Sequence, residues 1–351
     1  MNEFYLPFLT ALIISYVVTP FVKWIANKVG AIDVPKDERR VHKVPIPRLG
    51  GLAIYISTIV SILLFVKYID RSIIGIIIGA TIIVITGIID DIKPLSAKTK
   101  FLAQILAACV LIVVDVKIDF ISNPFDKVDG LTHLGMWSIP VTLFWVIGIT
   151  NTLNFIDGLD GLAAGVGSIS AMSLLFVASV NGYFSIAIIA AILAGSAFGF
   201  LPHNFNPAKI FMGDTGALFL GYMLSVLAIK GVMKSVAAIG IAVPILVLGI
   251  PIFDTTFAIC RRLINKTPPW KADKGHLHHR LLDKGLTQKQ TVLILYLISV
   301  CLGASAVLIN DSDTQRGALI LGIVTTVGVI GAIRMGLIGL KRRESIRQKE
   351  E

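Results

Sequence analysis

Long apolar runs alternate with short polar stretches along almost the whole chain. Segments near the roughly 20 apolar residues that cross a bilayer recur at about 4–26, 50–67, 72–89, 101–117, 138–153, 163–180, 184–201, 215–230, 236–260, 291–309 and 317–337. The pattern therefore predicts eleven transmembrane helices. The first run, Phe4 to Ala26, has no basic region before it and no small-residue cleavage site, so it reads as a retained span and not a signal peptide. No separate soluble domain and no repeat period interrupt the pattern, and residues 1–351 are expected to form one transmembrane domain. The segment Asp119 to Gly135 is short, polar and turn-rich, suited to a small hairpin or an interfacial helix.

Composition agrees with a membrane class. The chain is 55% hydrophobic and 15% charged, with a mean hydropathy of +0.82, beyond the range of soluble domains. Cys109, Cys260 and Cys301 stand alone in apolar runs, which argues against both a disulfide framework and a zinc site.

Charge changes the picture through its placement. A net charge of +10 could suggest nucleic acid. However, with the N-terminus outside, the segments 27–48, 90–100, 151–162, 202–214, 261–290 and 338–351 share one face and hold 23 of the 32 lysines and arginines. That is a positive-inside pattern, and nucleic acid has no place in it. The expectation is an all-α polytopic integral membrane protein of about 11 spans, N-terminus outside and C-terminus cytoplasmic, with 338–351 a basic cytoplasmic tail.

The polar clusters with chemical content all fall in those inner segments. Asn151, Asn154, Asp157 and Asp160 recur every third residue. In an α-helix they would sweep half the cylinder, whereas in a 3₁₀ turn they would stack. Gly158 and Gly161 predict a break there, and carboxylates near lipid carry a cost that favours a functional reading over a plain polar turn. Asp90 and Asp91 end the third run and precede Lys93, Lys98 and Lys100, acids for a cation beside bases for phosphate. Lys43 and Arg48 sit near Pro47 and the Gly50–Gly51 pair, as phosphate-holding or simple flanking charges. Asp214, at the start of a span, could be a helix cap, although a cap leaves Asn204, Lys209 and Phe211 before it unexplained. On a helix His276, His279 and Arg280 would share a face. With no Cys or paired acid to complete a zinc site, and with Arg280 beside them, an anion suits them better than a metal.

Acids for a hard cation, bases for phosphate and no activated Ser or Cys together suit metal-assisted phosphoryl transfer. An ion-coupled transporter is the rival, but it would place acids near mid-span and show two related halves.

The motifs Pro47-Arg48-Leu49-Gly50-Gly51, Asp90-Asp91, Asn151 to Asp160, Phe211-Met212-Gly213-Asp214 and Gly275 to Arg280 stand in the order seen in polyprenyl-phosphate N-acetylhexosamine-1-phosphate transferases, which the chain resembles from about residue 20 to 290. The resemblance implies transfer of a sugar 1-phosphate from a UDP-sugar to a membrane polyprenyl phosphate, release of UMP and a need for Mg²⁺, with Mn²⁺ an allowed substitute. It also implies catalytic roles for Asp90, Asp91, Asp157, Asp160 and His279, and metal contacts for Asp214, Asn151 and Asp91. Substrate contacts fall to Lys43, Arg48, Lys100, Asn151, Asn154, Asn204, Phe211, His276, His278 and Arg280. Lys43 matches only loosely, because its spacing to the glycine pair differs. Metal positioning and orientation are expected of the Asp90–Asp91 pair ahead of proton removal by Asp90, since a phosphate monoester is already largely dianionic near neutrality.

The run His-Leu-His-His-Arg departs from the murein-precursor branch, where three histidines precede Phe-Glu. It resembles the branch that uses UDP-N-acetylglucosamine. The implied partners are that nucleotide sugar, undecaprenyl phosphate and membrane lipid, and a homodimer is compatible with the sequence. The implied location is the inner or plasma membrane, with the site on the cytoplasmic face and a role in starting teichoic acid or lipopolysaccharide chains.

Overall fold

The computed structural model describes residues 2–35, 44–122, 131–233, 241–264 and 275–334. Lys43, the tail at 338–351 and part of the basic loop at 261–290 lie outside them. The chain opens with α1 (Asn2–Val29), a two-residue β1 (Ile32–Asp33) and β2 (Ile46–Pro47), then α2 (Gly51–Phe65), α3 (Arg71–Ile92) and α4 (Ala97–Val113). A hairpin of β3 (Phe120–Ser122) and β4 (Leu131–His133) pairs Phe120 with His133, the first of the two forms expected for that segment. There follow α5 (Ser138–Ile156), α6 (Leu162–Val180), α7 (Phe184–Asn204), α8 (Gly213–Gly231), α9 (Ala242–Val247) and α10 (Gly249–Ile264). The last elements are α11 (Leu277–Asp283), α12 (Gln288–Asn310) and α13 (Thr314–Arg334).

Local chemistry sets several of these boundaries. The Asp70 carboxylate accepts from Ile73 N at 2.8 Å to start α3, and Ser96 Oγ accepts from Thr99 N at 3.2 Å to start α4. Thr287 and Gln290 form a reciprocal capping box at α12.

A helix apolar on every side belongs inside a bundle. That helix is α8, buried from Thr215 to Ile229, and it packs against α2, α3, α5, α6 and α7. α1 lies along α7, while α13 packs on α12 at the periphery. Among the described residues seven helices are long and apolar enough to cross a membrane, namely α1, α3, α5, α6, α7, α12 and α13, with α2 a shorter apolar helix. The chain is a helical, polytopic membrane protein.

Ten of the expected spans coincide with single helices. The ninth, 236–260, does not: it breaks at Leu248 into α9 and α10. Pro251 has no N–H to give the Val247 carbonyl one turn earlier, and Ser170 of α6 donates to that carbonyl instead, at 2.8 Å. Pro20 in α1 frees the Tyr16 carbonyl in the same way, and His203 Nε2 of α7 donates to it at 3.1 Å. Each proline thus exposes a backbone acceptor in apolar surroundings, and a neighbouring helix covers it.

Candidate active site

The site gathers at one end of the bundle, and its frame is backbone. Phe211 N donates to Pro47 O at 2.8 Å, Gly50 N to Phe211 O at 2.9 Å and Gly51 N to Met212 O at 2.8 Å. These bonds fasten the chain entering α2 to the chain entering α8, and they bring Arg48 to α3. Arg48 Nε donates to Asp91 Oδ1 at 3.1 Å, and its Nη2 donates to the Asp90 carbonyl at 3.3 Å.

Asp91 also closes the open N-terminus of α8. Its carboxylate accepts from Asp214 N at 3.0 Å, Thr215 N at 3.1 Å and Thr215 Oγ1 at 2.6 Å, a charge-assisted cap supplied by another helix. Gly213 permits it. Its φ is +72° and an ideal Cβ there would stand 2.4 Å from Asp91 Oδ2, so only glycine both adopts the left-handed backbone and leaves room for the carboxylate. Asp214 is therefore not the cap of its own helix. Its Oδ2 accepts from Lys100 Nζ at 2.9 Å and its Oδ1 from Asn154 Nδ2 at 3.2 Å.

Lys100 also pairs with Asp90 Oδ1 at 3.3 Å, an oxygen that accepts from Leu95 N at 2.8 Å and so fixes the turn between α3 and α4. Lys93 and Lys98 are exposed. Asp90, Asp91 and Asp214 each bring one carboxylate oxygen within 4.8 Å of the others. Three converging carboxylates are an all-oxygen donor set of the kind a hard divalent cation takes, so these residues fit such an ion.

The Asn151–Asp160 stretch breaks where its glycines predict. α5 runs to Ile156, Asp157 ends it, and Gly161 begins α6 with a φ of +80°. Asn154 faces Asp214, whereas Asn151 exchanges hydrogen bonds with Gln104 of α4 at 2.7 and 3.3 Å. Asp157 has no hydrogen-bond donor among the described residues. Burial, and after it the charges of Asp214, Asp91 and Asp160, push its carboxyl up to about 8. Asp160 Oδ2 accepts from Asn206 Nδ2 at 2.9 Å and Ala208 N at 3.0 Å. The Asn204 amide joins Gly161 N to the Ile210 carbonyl at 3.1 and 3.0 Å. Asp160 and Asn204 thus hold the 205–211 loop against the acidic one.

The basic helix α11 lies over this floor. His276 is its N-cap, in extended backbone, and does not sit on its face. The rings of His276, His278 and His279 follow one another, with centroids 5.8 and 4.4 Å apart. His278 is buried against Gly158, where a Cβ would meet its Nε2 at 2.7 Å. Burial, aided by the charge of His279, holds the His278 imidazole down to about 4. Arg280 Nε donates to the Gly275 carbonyl at 3.2 Å.

These elements enclose a cavity of about 390 Å³, within the range of small-molecule sites. Of the residues expected at a site, Arg48, Asp91, Asn154, Asp157, Asp160, Asn204, Phe211, Asp214 and His279 line it. Asp90 and Lys100 reach it through their partners, while Asn151, His276 and His278 face protein groups. Asp33 and Gln288 also line it and carried no sequence signal: one is a lone acid shortly before a proline, the other a helix-start residue.

Comparison with known proteins bears on this geometry. The model of Glycosyl transferase family 4 matches residues 73–232. A Bacillus subtilis (strain 168) protein named as a probable undecaprenyl-phosphate N-acetylglucosaminyl 1-phosphate transferase is 43% identical over 334 residues, 95% of this chain and 92% of that one. A Mycobacterium leprae decaprenyl-phosphate N-acetylglucosaminephosphotransferase is 35% identical over 375 residues, 98% and 92% of the two chains. The chain belongs to the polyprenyl-phosphate N-acetylhexosamine-1-phosphate transferase family. A phospho-N-acetylmuramoyl-pentapeptide-transferase of Staphylococcus saprophyticus is similar at the lower level of 29% over 327 residues, 85% of this chain and 97% of that one.

As a phosphotransferase, the protein must bring anionic groups together in a cavity already lined by Asp33, Asp91, Asp157, Asp160 and Asp214, with Asp90 beside it. Arg48 and Lys100 pair with Asp90, Asp91 and Asp214 and hold those three at fixed positions. Three groups that set the transferase site escaped sequence reasoning: Gln104, which holds Asn151; Tyr296, whose hydroxyl donates to the Gly161 carbonyl at 2.5 Å; and Asp254, which holds α11. Each lies inside an apolar run, and an isolated polar residue there was the available signal.

Proposed function

We propose that this transferase moves N-acetylglucosamine 1-phosphate from UDP-N-acetylglucosamine to undecaprenyl phosphate. UMP leaves, and the lipid-linked sugar diphosphate starts a cell-envelope polymer, of which teichoic acid is our reading. The observation that carries this is the cavity where Arg48, Asn154, Asp157 and His279 converge beside the three carboxylates of Asp90, Asp91 and Asp214, fit for a cation. The names of the relatives from Bacillus subtilis and Mycobacterium leprae support the sugar and the polyprenyl acceptor. The acids cluster at one end of the bundle and not at mid-span, which favours the enzyme over a transporter. The basic asymmetry supports a cytoplasmic site in the cell membrane.

In the reaction an oxygen of the polyprenyl phosphate attacks the β-phosphorus of the nucleotide sugar. The bond from that phosphorus to the bridging oxygen breaks, and the electron pair leaves with UMP. Asp90, Asp91 and Asp214 would hold Mg²⁺ (or Mn²⁺), which would supply charge neutralisation on the phosphate oxygens. Arg48, bonded to Asp91, keeps that carboxylate on α8 and keeps its own guanidinium beside the phosphates. Asn154 and Lys100 hold Asp214. His279 and Arg280, on the helix above the floor, meet the sugar-diphosphate side. Phe211 offers an apolar face to the uracil ring.

Offering UDP-N-acetylglucosamine and UDP-muramyl-pentapeptide at equal concentration, with one polyprenyl phosphate, tests the donor. The expected lipid product carries N-acetylglucosamine by mass. A dominant muramyl-pentapeptide product would refute the donor while leaving the family intact.

A further inference from the structure

Asp254 is a carboxylate 4% exposed, within the stretch whose apolar character predicts an uninterrupted span. An acid there is costly unless partnered. On α10, Asp254, Thr255 and Ala258 face inward, while Phe253, Ile259, Leu263 and Ile264 are exposed. Both carboxylate oxygens are used across to α11. Oδ2 pairs with His276 Nδ1 at 2.8 Å, and Oδ1 accepts from Leu277 N at 2.7 Å.

One side chain thus fixes the imidazole at the start of α11 and the first backbone N–H of the helix. The pair stands away from the cavity lining. What lies on the lining is the next turn, where His278 seats on Gly158 beside Asp157 and His279 borders the cavity. The stacked rings of His276 and His278, tilted by only 10°, connect the anchored end to the seated one.

We infer that Asp254 is a positioning residue of the transferase, acting through His276 and Leu277 to hold α11 over the acidic loop so that His279 and Arg280 meet the donor. This rests on the phosphotransferase reading of the cavity. A carboxylate–imidazole pair orients a ring by fixing which nitrogen carries the proton. Here it also fixes, at its N-terminal end, the rigid-body placement of a two-turn helix.

The full chain, purified in detergent, is assayed with UDP-N-acetylglucosamine and undecaprenyl phosphate, and its thermal unfolding is followed in parallel. Asp254→Ala should raise the donor KM by about tenfold or more, the equivalent of about 1.4 kcal/mol. The acceptor KM and the melting temperature should stay near wild type. Asp254→Asn keeps an acceptor for Leu277 N but loses the charge, so it should fall between the two. The exchanged pair Asp254→His with His276→Asp restores carboxylate to imidazole, and it should recover most of the donor KM lost by either single change.

Unchanged donor KM in Asp254→Ala overturns the inference. So does an exchanged pair that is no better than the single variants. If Asp254→Ala does not fold, Asp254→Asn and the exchanged pair decide on the same criteria. Failure of the underlying reading looks different: the wild-type chain itself would then give no lipid-dependent UMP.

Discussion

Replacing Gly213 by alanine leaves every charged group of the site in place and tests how Asp91 is held. Two costs follow from the geometry. At a φ of +72°, a residue with a Cβ costs about 1–2 kcal/mol. The added carbon would also stand 2.4 Å from Asp91 Oδ2, so the carboxylate must withdraw by about 1 Å to reach ordinary contact. That movement strips the 2.6 Å and 3.1 Å bonds from Thr215. A buried acceptor left without its donors costs about 1–3 kcal/mol more. The sum is about 2–5 kcal/mol, and if orientation at the site bears it, turnover falls by about 30-fold or more.

Gly30 supplies the control. Its φ is +75°, and a Cβ added there would meet nothing within 4 Å, so Gly30→Ala carries the backbone cost without the collision. Initial rates of UMP release at saturating substrates, with thermal unfolding of each purified variant, separate the two terms. Gly213→Ala within about threefold of Gly30→Ala in rate, a difference under about 1 kcal/mol, would refute the claim that Asp91 is seated by the absence of a side chain.

Asp214→Asn should nearly abolish turnover while leaving melting close to wild type, because the amide keeps its shape but loses the charge that a cation needs; near-normal rates at limiting Mg²⁺ would count against that role. His278, held neutral by burial down to about 4 against an ordinary 6.5, binds its proton more readily when the protein is unfolded. Stability is therefore intact above about pH 6.5 and is lost as pH falls toward 4, on the order of 3 kcal/mol in full. His278→Phe should flatten that fall in a melting series from pH 7 to 4.5, and an unchanged slope would show that His278 does not cause it. Single cysteines at Ser96 and Ser312, in a chain with its three native cysteines replaced, should report sidedness in intact cells. The impermeant thiol reagent should label the second only, and labelling at Ser96 would invert the topology.

Apolar run length located the helices well, since a span needs length and hydrophobicity and little else. It missed the break at Leu248, because the hydropathy of Pro251 and its neighbours does not reveal that a serine on α6 waits for the freed carbonyl. The acid and base motifs of the site were legible as residue types, and most of them meet around one cavity. Their division of labour was not. Asp91 reads as one half of an acidic pair, yet it caps a helix more than a hundred residues away, and it is the packing of α3 along α8, with Gly87 against Thr215, that brings the two together. Asn151 and Asn204 read as ligand amides, but Asn151 bonds Gln104 of α4, and Asn204, although it lines the cavity, joins Gly161 N to the Ile210 carbonyl. Asp254 and Tyr296 have no motif around them, because their partners are a loop imidazole and a glycine carbonyl that come near only after the bundle has formed.

The most direct test is incubation of the purified chain with Mg²⁺, labelled UDP-N-acetylglucosamine and undecaprenyl phosphate, with UMP and lipid-linked sugar diphosphate measured together. Equal amounts of the two products are expected, none without the lipid and none after chelation of the metal. UMP formed without lipid acceptor, or lipid product formed as fast with the metal removed, would contradict the proposed reaction.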